Sequence, residues 1–139
     1  MIRWATSGGG ISVKLDLIVP ATQENLRKRR KAICPPLGLA MVAALTPPEV
    51  EVSLTDENAT AIDFQKETDL VGITALTITA QRAYEIADSF RARGVKVILG
   101  GSHPSALPVE ASQHADAVVI GEAEGIWRWT PVERLSYRL

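Results

Sequence analysis

The sequence predicts an α/β fold in which a doubly wound, five-stranded parallel sheet carries helices on both faces. Three observations predict it. Five short β-rich runs alternate with stretches whose apolar residues recur at three-to-four spacing. Crossovers of that length join parallel strands through right-handed βαβ units. Two of the runs are apolar almost throughout, as strands covered on both faces are.

The first strand spans 13–19 (VKLDLIV) and stops at Pro20. The second, 50–54 (VEVSL), alternates apolar and polar residues, the pattern of a half-covered or edge strand. Runs 70–73 (LVGI) and 95–99 (VKVIL) are more continuous, and 117–120 (AVVI) is the fifth. A helix over 36–45 puts Leu37, Ala40, Met41, Ala44 and Leu45 on one stripe, with Pro36 suited to its first turn. Pro47 and Pro48 end it. A second helix over 80–93 repeats Ala83, Ile86, Ala87 and Phe90, and Gly94 caps it. Pro108 opens a shorter helix over 109–114, and 60–66 adds a weak further turn. Five strands in 139 residues fit the flavodoxin-like order 2-1-3-4-5, whose ligand crevice lies beyond the carboxyl ends of strands 1 and 3. The expected organisation is a flexible leader over 1–12, a Rossmann-like domain over 13–126 and an extension over 127–139.

Composition narrows the function classes. With 46% hydrophobic and 22% charged residues, the chain has the make-up of a globular domain, not of a disordered tail or a disulfide-stapled miniprotein. A net charge of −1 gives no electrostatic reason to expect nucleic acid or an anionic membrane as partner. The single cysteine, Cys34, cannot hold an iron–sulfur cluster by itself. No apolar run is long enough to cross a bilayer and the first residues lack a secretory pattern, so the expected location is the cytoplasm.

The crevice loops exclude three common occupants of such a fold. A phosphoacceptor domain needs an acidic pair after strand 1 and an Asp ending strand 3, where this chain has Pro20-Ala21-Thr22 and Thr74-Ala75-Leu76. A flavin phosphate loop is short and rich in Ser, Thr and Gly, whereas 22–35 is long, basic and free of glycine. The dinucleotide pattern G-x-G-x-x-G is absent after strand 1. What the loops do offer is small and hydroxyl-rich: Thr74-Ala75-Leu76-Thr77, then Gly100-Gly101-Ser102-His103, then Gly121-Glu122. The paired glycines suit either close approach by a bulky ligand or a tight βα turn with positive φ.

A set of motifs in these positions resembles the N-terminal cobalamin-binding domain of B12-dependent radical SAM enzymes. The pieces are PPLGLAMVAAL (35–45), TDEN (55–58), DLVGITALT (69–77), VILGGSHPSALP (97–108) and DAVVIGEAEG (116–125). The resemblance implies cobalamin as cofactor, its nucleotide tail entering the carboxyl edge of the sheet and its corrin ring lying across the loops. It places Thr74, Ala75, Leu76 and Thr77 beside the tail, with Gly100 and Gly101 leaving room for it. Ser102 and His103 follow in the same loop, and Gly121 and Glu122 close the far side. The methionine synthase-type motif D-x-H-x-x-G is missing after strand 1, so no histidine of this chain is expected below the cobalt. The C-x-x-x-C-x-x-C motif of a radical SAM domain is missing too, so the expectation is a stand-alone homologue, a fragment of a larger enzyme or a remnant that has lost its chemistry, with a separate radical SAM or methyltransferase domain as the partner the resemblance implies.

Single residues take plainer roles. His103 is read as a turn or tail-contacting residue, His114 as a surface residue and Cys34 as an inert thiol. The cations Arg27 to Lys31 form a solvated loop or meet an anion such as the cobalamin phosphate. Glu122 and Glu124 have no nucleophile or metal set beside them, so they cap or hydrogen-bond instead of serving as an acid/base pair. Trp4, Trp127 and Trp129 pack on the body, and a homodimer through Trp127 or Trp129 is expected. The chain holds no complete catalytic site. Its expected role is to present B12 to a separate catalytic domain by methyl-transfer chemistry. The alternative is a vestigial domain that acts as an interaction or oligomerisation module without cofactor.

Overall fold

The computed structural model describes residues 13–28, 36–125 and 127. The leader 1–12, residues 29–31 of the basic run, Cys34, Trp4, Trp129 and the extension past Trp127 lie outside the described residues. Five strands form one parallel sheet in the order β2-β1-β3-β4-β5. They are β1 (Val13–Val19), β2 (Val50–Asp56), β3 (Leu70–Thr74), β4 (Lys96–Gly100) and the short β5 (Ala117–Val118). This is the flavodoxin-like arrangement read from the sequence.

Side-chain alternation divides the core between the two faces of the sheet. Ile18, Val71, Ile73, Val97 and Leu99 point to one face, where α3 (Ala80–Ala92) covers them with Ala83, Ile86, Ala87 and Phe90. Leu15, Leu17, Leu70, Ile98 and Ala117 point to the other, under Leu39 and Val42 of α2 (Leu37–Leu45). Burial on both faces is why β3 and β4 read as unbroken apolar runs. The edge strand β2 alternates, as predicted. Its Ser53 and Thr55 donate hydrogen bonds at 2.8 and 3.1 Å to Asp16, a buried carboxylate in mid-β1 that also pairs with Lys66 at 3.1 Å.

Four local expectations change. The stripe Leu37, Ala40, Met41, Ala44, Leu45 is largely the outer side of α2, and Leu37 is 74% exposed. The helix is apolar all round, so its periodicity has no phase that distinguishes inside from outside. Segment 60–66 is not helical, because the Asp63 carboxylate takes the Gln65 N–H at 2.9 Å and makes a turn instead. The segment after β1 is not all loop. Thr22 accepts the Asn25 N–H at 3.1 Å and starts α1 (Gln23–Lys28), which carries Arg27 and Lys28 at its end. The helix expected over 109–114 is α5 (Pro108–Ala111), preceded by another short one, α4 (Ser102–Ala106).

Candidate functional site

At the carboxyl end of the sheet, on the α2 face, lies a groove of about 150 Å³. Its floor is built by strand register. Gly72 of β3 lies beside Ile98 of β4, and Thr74 lies beside Gly100. Leu17 flanks the floor on the β1 side, and Val119, just past β5, flanks it on the other. The walls are Gly38, Leu39 and Val42 of α2 and the short turn Ala123–Gly125, with Trp127 closing one end. Trp127 is held by its indole N–H, which donates to the Thr46 hydroxyl at 2.8 Å.

The two strand glycines of the floor differ. A Cβ at Gly72 would come within 2.8 Å of the Leu17 side chain, so Leu17 already packs over that glycine, whereas one at Gly100 would stand 3.5 Å from Val119 Cβ, and the space there is open. Glycine within a strand marks a place where something approaches the backbone closely. Gly101 answers a different need. Its φ is 108°, and a Cβ there would meet the Ala75 carbonyl oxygen at 2.7 Å. The tight-turn reading therefore accounts for Gly101, while the room-making reading fits Gly100.

Hydrogen bonds tie the crevice loops to one another. Ala75 donates its N–H to the Gly100 carbonyl at 2.8 Å and accepts the His103 N–H at 3.1 Å, extending the β3–β4 ladder past the strand ends. The Ser105 hydroxyl donates to the Gly101 carbonyl at 2.7 Å and accepts the Gly121 N–H at 2.9 Å. It thus couples the loop after β4 to the turn after β5, where Gly121 has a φ of 79°. On the β1 side, the buried Glu57 carboxylate accepts the Ala21 N–H at 2.9 Å and pairs with Arg82 of α3. That carboxylate and a second one, Glu85, hold the Arg82 guanidinium firmly protonated.

Of the residues singled out in the sequence, Thr74, Gly100, Gly101, Gly121 and Glu122 line the groove. Ala75 is buried behind it, while Leu76, Thr77 and Ser102 are exposed outside its lining. His103 turns to the opposite face. Its Nδ1 lies 3.4 Å from the Thr77 hydroxyl and its Nε2 lies 3.2 Å from Glu110 of α5. Tyr84 also donates to Glu110, at 3.0 Å, and stacks on His114, which faces Asp88 at 2.9 Å. Hydrogen bonds from His103 and then Tyr84 hold the Glu110 carboxyl below its ordinary range. Burial, followed by the Glu110 carboxylate, pushes the Tyr84 hydroxyl up to about 12. This cluster braces α3, α5 and the loop after β3 from behind the groove. Glu122 and Glu124 both reach the rim, with exposed side chains.

The sequence reading missed Gly72 and the whole α2 wall. Two signals pointed there: a lone glycine inside an otherwise β-branched strand, and a helix with no polar side. Chemically the groove is a slot for a flat apolar group. Glycine, aliphatic side chains and one indole form it, with polar groups at the mouth. Among the described residues no three His, Cys, Asp or Glu side chains gather as a metal site. The cradle that a Cβ would fill suits the tail of a large cofactor better than it suits acid/base chemistry.

Comparison with known proteins bears on this groove. A family model described as the B12 binding domain matches residues 26–128. The chain is 49% identical over 92 residues to the bacteriochlorophyllide d C-8(2)-methyltransferase of Chlorobaculum tepidum, covering 66% of this chain and 20% of that protein. It is 38% identical over 114 residues to the bacteriochlorophyllide d C-12(1)-methyltransferase of the same organism, covering 80% of this chain and 25% of that protein. An uncharacterized methyltransferase of Pyrococcus horikoshii is 33% identical over 125 residues, which cover 81% of this chain and 27% of that protein. The chain thus spans about a fifth to a quarter of the length of the curated relatives it matches. No solved structure matches it.

Proposed function

The chain belongs to the B12-binding domain family, and from that premise we propose that it seats cobalamin at the carboxyl edge of its sheet and presents it to a methyltransferase catalytic domain of the radical SAM type. The observation that carries this reading is the glycine-floored groove, left open where a β-strand would normally fill its own surface. In this reading the space above Gly100 admits the nucleotide tail between sheet and α2, and Thr74 offers a hydroxyl beside it. The Gly121-Glu122 turn, tied back through Ser105, borders the far side. When bound, cobalamin supplies methyl transfer through its cobalt.

No histidine of this chain stands below the cobalt in this proposal. The sequence has two histidines, and both ring systems are engaged with carboxylates away from the groove, His103 with Glu110 and His114 with Asp88. The catalytic domain, with any iron–sulfur cluster, lies outside the B12-binding segment. The relatives' greater length supports this, since each is far longer than the segment it shares with this chain. Among the described residues no helix is long and apolar enough to cross a membrane, and the compartment assigned here is the cytoplasm. We further assign a homodimer that uses Trp127 or Trp129, which sedimentation equilibrium checks directly. A species that stays at 15.0 kDa when concentrated contradicts it.

The central experiment mixes the purified protein with hydroxocobalamin and separates it by gel filtration. A coloured protein peak at one cofactor per chain is expected. A colourless peak at saturating cofactor would instead support the vestigial module, with the groove serving as an interaction surface.

A further inference from the structure

The groove also determines which tail it takes. We infer that this domain selects cobamides whose lower base is an apolar aromatic, a benzimidazole or a phenol, and discriminates against those carrying a purine. The inference rests on the reading that the nucleotide tail enters the groove. It goes further by assigning base specificity to named residues.

The argument is one of hydrogen-bond supply. The deep part of the groove is bounded by Leu17, Val42, Gly72, Ile98 and Val119, none of which carries a polar side-chain atom. The backbone polar groups of the floor are largely committed to the parallel ladder and its continuation, where Val119 N–H donates to the Leu99 carbonyl at 2.8 Å. Among the described residues no fully buried side-chain N or O is left without a partner, so what the groove can offer a ligand is confined to the polar side chains of its own lining. Of the polar side chains of the lining, Glu122 and Glu124 are exposed at the rim, and Thr74, beside Gly100 at the end of the floor, supplies a single hydroxyl. The Trp127 indole N–H is already given to Thr46.

A cresol ring carries no ring nitrogen, and a dimethylbenzimidazole held in the groove carries one free ring nitrogen, which the Thr74 hydroxyl can meet, so either loses little on entering such a slot. Adenine brings an exocyclic amine and several ring nitrogens that are hydrogen-bonded in water, of which one hydroxyl can satisfy at most one. Each polar group desolvated without replacement weakens binding substantially. The expected discrimination is at least about tenfold, or about 1.4 kcal/mol. The asymmetry follows the general rule that a pocket lacking polar partners rejects a ligand that needs them.

The test is a set of titrations on the full chain, read by intrinsic fluorescence and by calorimetry. The ligands are cobalamin, a p-cresolyl cobamide, an adeninyl cobamide and cobinamide, which has no nucleotide tail. Cobalamin and the cresolyl form should bind within about threefold of each other, with the adeninyl form at least about tenfold weaker. Adeninyl and cobalamin affinities within threefold, with cobinamide weak, would overturn the specificity while leaving the tail in the groove. Cobinamide binding as tightly as cobalamin, or no binding of any of the four, would overturn the groove reading and the specificity with it. Val119→Thr tests the cause, since it places an isosteric hydroxyl on the floor. It should narrow the gap between adeninyl and cobalamin forms. A gap unchanged in a variant that still melts cooperatively would show that the apolar floor is not what discriminates.

Discussion

Gly100→Val separates binding from stability because the two should move in opposite directions. Gly100 ends β4 on the same face as Ile98, and its φ lies outside the left-handed region found at Gly94, Gly101 and Gly121. A Cβ there meets only Val119, at the ordinary contact distance of 3.5 Å. The strand can therefore accept valine, a residue it favours over glycine by up to about 1 kcal/mol. Three added carbons, each worth about 0.8 kcal/mol when fully buried, set an upper limit near 2.4 kcal/mol. Half of that is realistic beside an open mouth. The variant should thus be more stable by about 1–2 kcal/mol, which raises the melting temperature by several degrees in a domain of this size. The same side chain occupies the floor of a groove of about 150 Å³. Cobalamin affinity should fall by at least about 100-fold, or about 2.7 kcal/mol. A thermal melt and a hydroxocobalamin titration on the same sample give both quantities. Binding within threefold of the parent would refute the placement of the tail. A lower melting temperature would refute the claim that the space at Gly100 is open.

Gly101→Ala should behave differently, losing about 1–3 kcal/mol because a positive φ of 108° and an approach of 2.7 Å to the Ala75 carbonyl leave no relaxed position for Cβ; urea unfolding measures it, and an unchanged midpoint would contradict the turn geometry. Burial raises the Asp116 carboxyl, but Lys96 at 2.8 Å and the Val97 N–H at 3.0 Å outweigh it and leave its pKa below the ordinary value of 3.8. Asp116→Asn should therefore cost about 1–2 kcal/mol at neutral pH, and the gap to the parent should close as pH falls below about 4, through the depressed folded value; a gap constant down to pH 2 would contradict it. Trp127 lines the groove, so bound cobalamin should quench its emission, and Trp127→Phe should remove that part of the quenching. Quenching of equal size in the variant would put the ligand elsewhere.

How much of this was legible follows from where the determining contacts lie. Strands could be read because each carries its pattern within a few residues, and the order of the sheet follows from crossover rules that leave few alternatives. Helix α3 was equally legible, since its polar and apolar sides differ. Helix α2 was placed correctly but turned the wrong way, because an all-apolar helix contains no record of which side meets the sheet. Its buried residues, Leu39 and Val42, are set by what the neighbouring strands present. His103 shows the same limit. The GG-x-H spacing places it in a crevice loop, yet Glu110, Thr77 and Tyr84, which come from three separate segments, draw its ring to the opposite face. Local pattern decides what an element is. Long-range partners decide which way it points, and the groove depends on the second kind of information.

The floor glycines bear on whether the cofactor site is functional or vestigial. Glycine inside a strand costs conformational entropy and leaves the surface above it unpacked. Gly100 imposes that cost on β4, whereas the space above Gly72 is already taken by the Leu17 side chain. For a domain used only as an interaction module, valine at Gly100 would be an improvement, and nothing in the backbone forbids it. An open, apolar, water-facing slot is an unfavourable thing for a small domain to maintain, since filling it is a simple route to greater stability. Its presence in the floor of this sheet is the argument for the cofactor-binding reading over the vestigial one, and the Gly100→Val titration decides between them.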